Sequence, residues 1–233
     1  MSKLKDVLFP RLDFDRTYLE QFSGLNPDQR DEMAIPSYLH RNPFIRWIVA
    51  RRMQVVLELL DLRPSESLLD FGCGTGMLLL QIRTPQVTCW GVDLVLWPAQ
   101  QFLEHHRRDD VKLLPAETWA DQIPDNSLDK IVALEVLEHV PLVPALAQEF
   151  KHKLKPSGLL VVAGPTENDF YQLARRIAGF SGEYHHRHIG TIMNDLLDGG
   201  FRIEETRVIP LGGPFALFRV YALRPGPENQ SEM

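Results

Sequence analysis

Leu68-Leu69-Asp70-Phe71-Gly72-Cys73-Gly74-Thr75-Gly76 decides how this chain is read. An apolar run, short enough for one buried strand, passes straight into three glycines at alternate positions, and a helical pattern begins at Met77. Glycine is needed where the backbone turns sharply or must approach a ligand without a Cβ in the way. The start of the following helix offers N–H groups and a positive dipole end. A dinucleotide would place its pyrophosphate there, but two residues oppose that. Met77 stands where the dinucleotide fingerprint wants a small residue. Asp70 precedes the loop by two positions, and its carboxylate would repel a phosphate. The same carboxylate suits a ligand with an ammonium and a sulfonium.

Outward from the loop, strand and helix patterns alternate. Strands are predicted at Ser67–Asp70, Val87–Val92, Val111–Leu114, Lys130–Leu134 and Leu159–Ala163. Two further strand-like runs, Phe201–Val208 and Phe215–Leu223, close the chain. Helices are predicted at Met77–Arg83, up to about Arg108, and at Leu142–Leu154, Asn168–Ala178 and Ile189–Asp198. Lys155-Pro156-Ser157-Gly158 is read as a helix stop and turn, and Gly199-Gly200 as a helix terminator. Such alternation implies a doubly wound, mostly parallel α/β sheet, with the final pair adding an antiparallel strand at one edge. Before it, Ile45, Val49, Met53, Val56 and Leu60 repeat at helical spacing from Pro43, after Asn42 as cap, with Pro64 closing the helix. Residues 1–40 read as an irregular arm with short helical pieces, and 225–233 as a polar tail.

The chain has 233 residues, 44% of them hydrophobic, and a net charge of −6. That supports one sizeable core and carries no nucleic-acid footprint, which needs a basic face. A local basic face around Arg41, Arg46, Arg51 and Arg52 is the one place where such binding stays open. The two cysteines, Cys73 and Cys89, form no disulfide or metal framework, which suits a reduced, cytoplasmic setting. There is no signal-peptide pattern at Met1–Pro10 and no apolar run of about 18 residues for a membrane span.

Gly91-Val92-Asp93-Leu94 ends the second strand about 20 residues after the loop, where an acidic side chain can accept from both hydroxyls of a ribose. With Leu134-Glu135-Val136-Leu137-Glu138-His139-Val140 and Leu154-Lys155-Pro156-Ser157-Gly158-Leu159, these stretches resemble, in order, the motifs of class I S-adenosylmethionine (SAM)-dependent methyltransferases. The small-molecule branch that includes quinone-biosynthesis enzymes is the nearest in pattern. The likeness is strong over residues 66–165 and extends to about 223. It implies a seven-stranded sheet and a SAM-binding domain over 61–224; the first 60 residues match no general family pattern and are read as an N-terminal helical extension on the substrate side. It also implies SAM as cofactor and S-adenosylhomocysteine as product. Asp70, Gly72, Cys73, Gly74 and Gly76 would line the methionine half, Asp93 the ribose, and Leu94 the adenine. Where many relatives have Asp-Ala contacting adenine, this chain has Glu117-Thr118. Glu135 would face the methyl group. Glu138 and His139 are candidates for an acid–base pair, although in relatives they are mostly structural.

For the methyl acceptor the residues say less. Glu183-Tyr184-His185-His186-Arg187-His188 precedes a predicted helix. His185, His186 and His188 are candidates for a catalytic base or a substrate contact, or for a packing and capping role. A metal site there would need a further carboxylate or cysteine that the sequence does not identify, so no metal is assigned. His105 and His106 end a helix and are given no function. Tyr38, Arg41 and Trp47 are read either as cofactor or substrate contacts or as packing. The reaction expected is methylation of a small molecule, at oxygen rather than carbon or nitrogen. A protein or RNA acceptor, and a non-catalytic SAM-binding partner subunit, are the alternatives.

Overall fold

The computed structural model describes residues 12, 14–22, 24–178 and 188–226. Seven strands form one sheet in the order β3-β2-β1-β4-β5-β7-β6. They are β1 (Ser67–Phe71), β2 (Thr88–Asp93), β3 (Val111–Pro115), β4 (Leu128–Leu134), β5 (Leu154–Pro165), β6 (Phe201–Pro210) and β7 (Ala216–Pro225). The first five are parallel, and β7 runs antiparallel between β5 and β6. This is the doubly wound sheet that the alternating pattern predicts.

The pattern works because successive side chains on a strand leave from opposite faces. Leu68, Val132, Val161, Ala163, Val220 and Ala222 enter one apolar cluster. Their neighbours Leu69, Ile131, Ala133, Leu160, Val162 and Tyr221 enter the other. All five residues of β1 are buried, as a central parallel strand covered on both faces requires. At the far edge, β6 exposes Arg202, Glu204, Glu205 and Arg207, charges that blunt an open edge against pairing with another chain. Next to it, β7 is buried from Ala216 to Leu223 except at Arg219.

Helix α4 (Pro43–Leu60) follows three short helices, α1 (Arg16–Glu20), α2 (Pro27–Glu32) and α3 (Ile35–Leu39). Asn42 caps α4 by accepting the Phe44 N–H at 2.9 Å, with Pro43 at the first helical position. Its end comes before Pro64, at Asp61 in the left-handed region with φ 40°. The arm is not loose cover: Leu19, Phe22, Leu25, Ile35 and Tyr38 are buried in the same cluster as α4 and β1. After β1 come α5 (Met77–Gln81), α6 (Trp97–His105), α7 (Trp119–Gln122), α8 (Val143–Lys153), α9 (Asp169–Ala178) and α10 (Ile189–Asp198). Helix α5 stops two residues short of the predicted Arg83, and the Arg108 guanidinium takes the Leu79 and Ile82 carbonyls released there. The predicted turn at Lys155–Gly158 falls within β5, where pairing with β4 jumps from Leu128–Leu154 to Lys130–Leu159. No helix among the described residues is long and apolar enough to cross a membrane.

One polar clamp ties three strands together at the end opposite the glycine loop. The Asp129 carboxylate on β4 accepts the Ser67 backbone N–H at 2.9 Å and lies 2.8 Å from Lys155 Nζ on β5. The Asp129 N–H donates to Ser67 Oγ at 2.8 Å. Burial raises the Asp129 carboxyl, but the hydrogen bonds from Lys155 and Ser67 outweigh it and hold the pKa below the ordinary 3.8. Asp129→Ala is expected to lower the unfolding free energy by about 1–3 kcal/mol at neutral pH, because it strands the Ser67 N–H. A depressed carboxylate stabilises above its unfolded pKa and loses that contribution as pH falls through its folded value. The gap to wild type in urea titrations should therefore hold at neutral pH and close only below about pH 4.

Candidate functional site

The sheet order reverses between β1 and β4, and a crevice opens beyond the carboxyl ends of the strands at such a point. Here it is a cavity of about 390 Å3. Asp70, Gly72, Cys73, Gly74, Asp93, Leu94 and Glu135, all singled out from the sequence, line it.

The glycine loop forms the floor. Gly72, Gly74 and Gly76 have φ of 77°, 53° and 79°, a region closed to most side chains. A Cβ on Gly72 would also come within 2.3 Å of Val136, so the turns after β1 and β4 pack directly together. The turn is sewn to the end of β2. The Val92 carbonyl accepts the N–H groups of Gly72 and Cys73 at 2.8 and 2.9 Å. The Asp93 carboxylate accepts the Gly74 N–H at 2.8 Å and the Val95 N–H at 3.1 Å. Three loop N–H groups that a pyrophosphate would want are thus already engaged.

Electrostatics point the same way. Asp70 is buried, and its carboxyl is pushed up to about 8, by burial first and then by the negative charge of Asp93. Both influences would be relieved by a cation in the cavity and worsened by a phosphate. Burial also pushes the Cys73 thiol up, so it stays protonated rather than nucleophilic.

The opposite wall comes from the arm and α4. Met33 lies over the loop, its Cγ 3.6 Å from where a Gly74 Cβ would stand. Tyr38 is buried, and burial lifts its hydroxyl to about 12 although Arg52 pulls it down. Arg52 is the surprise. It was counted in a possible basic face, but its side chain is 3% exposed and paired with Glu135. Its guanidinium also lies 4.7 Å from the centre of the Phe218 ring. One helical step away, Arg51 pairs with Glu58 at 3.0 Å, and Arg46 donates to the His40 and Arg41 carbonyls. Arg46, Arg51 and Arg52 are thus each engaged with separate partners, and the four arginines make no shared basic surface. Glu135 follows β4 at φ 53°. Behind it Glu138 is buried, and burial raises its carboxyl to about 8, with the Glu135 charge adding to the rise. His139, Val140 and Pro141 complete this side.

Other expected positions lie elsewhere. Gly76 heads α5 and does not line the cavity. Glu117 and Thr118 are exposed in the turn before α7, and Ala116 occupies the cavity wall instead. Trp119, next in the chain, is core and packs edge-on against Phe71. His188 is exposed, and its carbonyl rather than its ring starts α10. His185 and His186 lie outside the described residues. Trp47 stacks on Phe44, and Arg41 is exposed. The wall residues Gln29, Met33, Ala34 and Arg52 carried no sequence motif, and only folding brings them to the loop.

Residues 41–197 match a family model described as a methyltransferase domain. A phosphoethanolamine N-methyltransferase of Triticum aestivum is 32% identical over 110 residues, 46% of this chain and 22% of that protein. A ubiquinone biosynthesis O-methyltransferase of Idiomarina loihiensis is 39% identical over 100 residues, 40% of either chain. This chain thus spans less than half the length of either curated relative. Among solved structures, a SAM dependent methyltransferase from Aquifex aeolicus superimposes with a TM-score of 0.59 at 18% identity, over 91% of this chain and 100% of that one. At that identity the likeness is one of fold.

The Arg52–Glu135 pair should be felt in stability. Arg52→Met keeps the bulk but leaves Glu135 without its counter-charge, at an expected cost of about 3 kcal/mol. Adding Glu135→Gln to Arg52→Met should recover part of that loss in denaturant titrations.

Proposed function

The chain belongs to the methyltransferase-domain family, and from that premise we propose that it transfers a methyl group from SAM to the oxygen of a small-molecule acceptor. The observation that carries this reading is the convergence of Asp70 and Asp93 on one cavity, whose carboxylates favour a cationic nucleoside over a phosphorylated one. When bound, SAM supplies an electrophilic methyl group on a positively charged sulfur.

The chain's own residues bind, orient and keep water out. Asp70 answers the cationic amino-acid half of the ligand. Asp93 is the acidic group for the ribose hydroxyls. Leu94, Val95 and Ala116 give the apolar flank for the base. Met33 and Tyr38 cover the loop, and a closed, dry site strengthens every charge interaction inside it. On the acceptor side, Tyr38 and Val140 offer apolar surface, and the Arg52–Glu135 pair fixes the polar edge. A hydroxyl nucleophile must shed a proton as it attacks. His139 is the histidine of the cavity wall among the described residues, and it would take that proton. The name of the Idiomarina relative supports oxygen as the target, while that of the Triticum relative keeps nitrogen in view. The name of the Idiomarina relative is also what supports a small-molecule acceptor.

Calorimetric titration with SAM tests the premise. A cation beside Asp70 selects the ionised carboxylate, so below about pH 8 binding must expel its proton. Affinity should therefore rise with pH, by up to about tenfold per unit, and level off above pH 8. At pH 7 the heat should vary with the ionisation enthalpy of the buffer. Asp70→Asn should bind more weakly and lose that proton release. Failure of the folded protein to bind SAM would remove the proposal. For the acceptor side, His139→Ala should lower kcat by about 100-fold or more while SAM affinity stays within about twofold; a fall in affinity with kcat unchanged would move His139 from chemistry to cofactor binding.

A further inference from the structure

The N-terminal arm meets α6 through a cluster of polar side chains. Asp15 caps α1, with Oδ1 accepting the Tyr18 N–H at 3.2 Å, and this holds its carboxylate in a fixed direction. Oδ2 then lies 3.2 Å from Nε2 of His106 and 3.5 Å from Nε2 of His105. All three groups offer ligand atoms within 4.8 Å of one another. The rings are held by packing. Tyr18 stacks on His105 with centroids 4.2 Å apart, and Phe102 meets His106 edge-on at 4.7 Å. The Tyr18 hydroxyl is itself anchored on the Gln101 carbonyl at 3.1 Å.

As a simple ion pair this cluster is unsatisfactory. His106 Nε2 is buried and close to Asp15, yet it is not aligned for a hydrogen bond and has no other partner among the described residues. A ring nitrogen removed from water needs one. Two protonated imidazoles with centroids 5.0 Å apart, sharing one carboxylate oxygen, would also repel each other.

A shared cation removes both difficulties. Ligand atoms about 2.1 Å from a tetrahedral zinc ion stand about 3.4 Å from one another. The two oxygen–nitrogen separations, 3.2 and 3.5 Å, bracket that value. In such a site each ring nitrogen aims at the ion and not at the neighbouring oxygen, which accounts for the misalignment at His106. Two imidazoles and one carboxylate suit zinc and its first-row neighbours rather than magnesium or calcium.

We propose that Asp15, His105 and His106 bind one divalent transition cation of the zinc class, with the remaining coordination open to solvent beside the half-exposed His105. The ion fastens the arm to α6. The same arm carries Gln29, Met33, Ala34 and Tyr38 to the cavity, so the site determines how firmly that wall is seated. The proposal stands independently of the methyl-transfer reading. In sequence, His105-His106 is only two histidines at a helix end, and the third ligand arrives from far upstream by folding.

Zinc chloride titrated calorimetrically into the metal-stripped full chain near neutral pH should show one zinc per chain and raise the melting temperature. The double variant Asp15→Asn, His106→Asn should bind about 100-fold more weakly or not at all, and zinc should leave its melting temperature unchanged. The chain has other histidines, so a variant with His185, His186 and His188 all replaced by Gln is run alongside. It should keep the wild-type zinc response. The proposal is overturned if wild type takes up no zinc, if the Asp15, His106 variant binds as tightly as wild type, or if the histidine-segment variant is the one that loses binding.

Discussion

The turn between β1 and α5 stands because the end of β2 holds it. Three left-handed glycines cost conformational entropy, and such a backbone persists only where its surroundings over-determine it. Here the Val92 carbonyl and the Asp93 carboxylate take up consecutive loop N–H groups. Parallel pairing of β1 with β2 in turn fixes where Asp93 emerges. The cavity and its charge both follow from that one set of bonds. Asp93 therefore has two tasks, as a brace for the turn and as an acidic group facing the cavity.

Charge is distributed with the same economy. At the lower end of the sheet, Asp129 is answered by Lys155 and Ser67 and is held ionised. At the upper end, Asp70 and Glu138 are buried and both are raised to about 8. The sheet thus carries settled carboxylates where it needs only stability and unsettled ones where the crevice opens. Strongly perturbed groups gather at functional sites for that reason. Glu135 is paired with Arg52 and set at the rim in a left-handed backbone conformation.

The sheet was readable because a buried parallel strand announces itself in short apolar runs and because glycine, proline and capping residues mark the ends of elements. The Pro43–Leu60 and Ile189–Asp198 helices appear with the predicted bounds. The cavity floor was readable too, since Asp70, the glycines and Asp93 are local in sequence. The far wall was not. Met33 and Ala34 sit in a turn without periodicity, and Arg52 looked like one more exposed cation of a helix. Hydrophobic spacing says which face of α4 is inward, but not that an arginine on that face finds Glu135 across the fold. His105 and His106 were passed over for the same reason, because Asp15 becomes their neighbour only when the arm folds back. Glu117 and Thr118 stand exposed in the turn while Ala116 lines the wall, a difference of side-chain direction within a loop that residue identity alone does not give.

The position of Met33 has one more consequence. It roofs the glycine turn, and the segment bearing it is buried through Ile35 and Tyr38. Whatever enters or leaves the crevice on that side must pass a door hinged on the hydrophobic core. A roof anchored in that way is raised only by disturbing the packing of Ile35 and Tyr38, so access to the crevice and the stability of the core draw on the same few side chains.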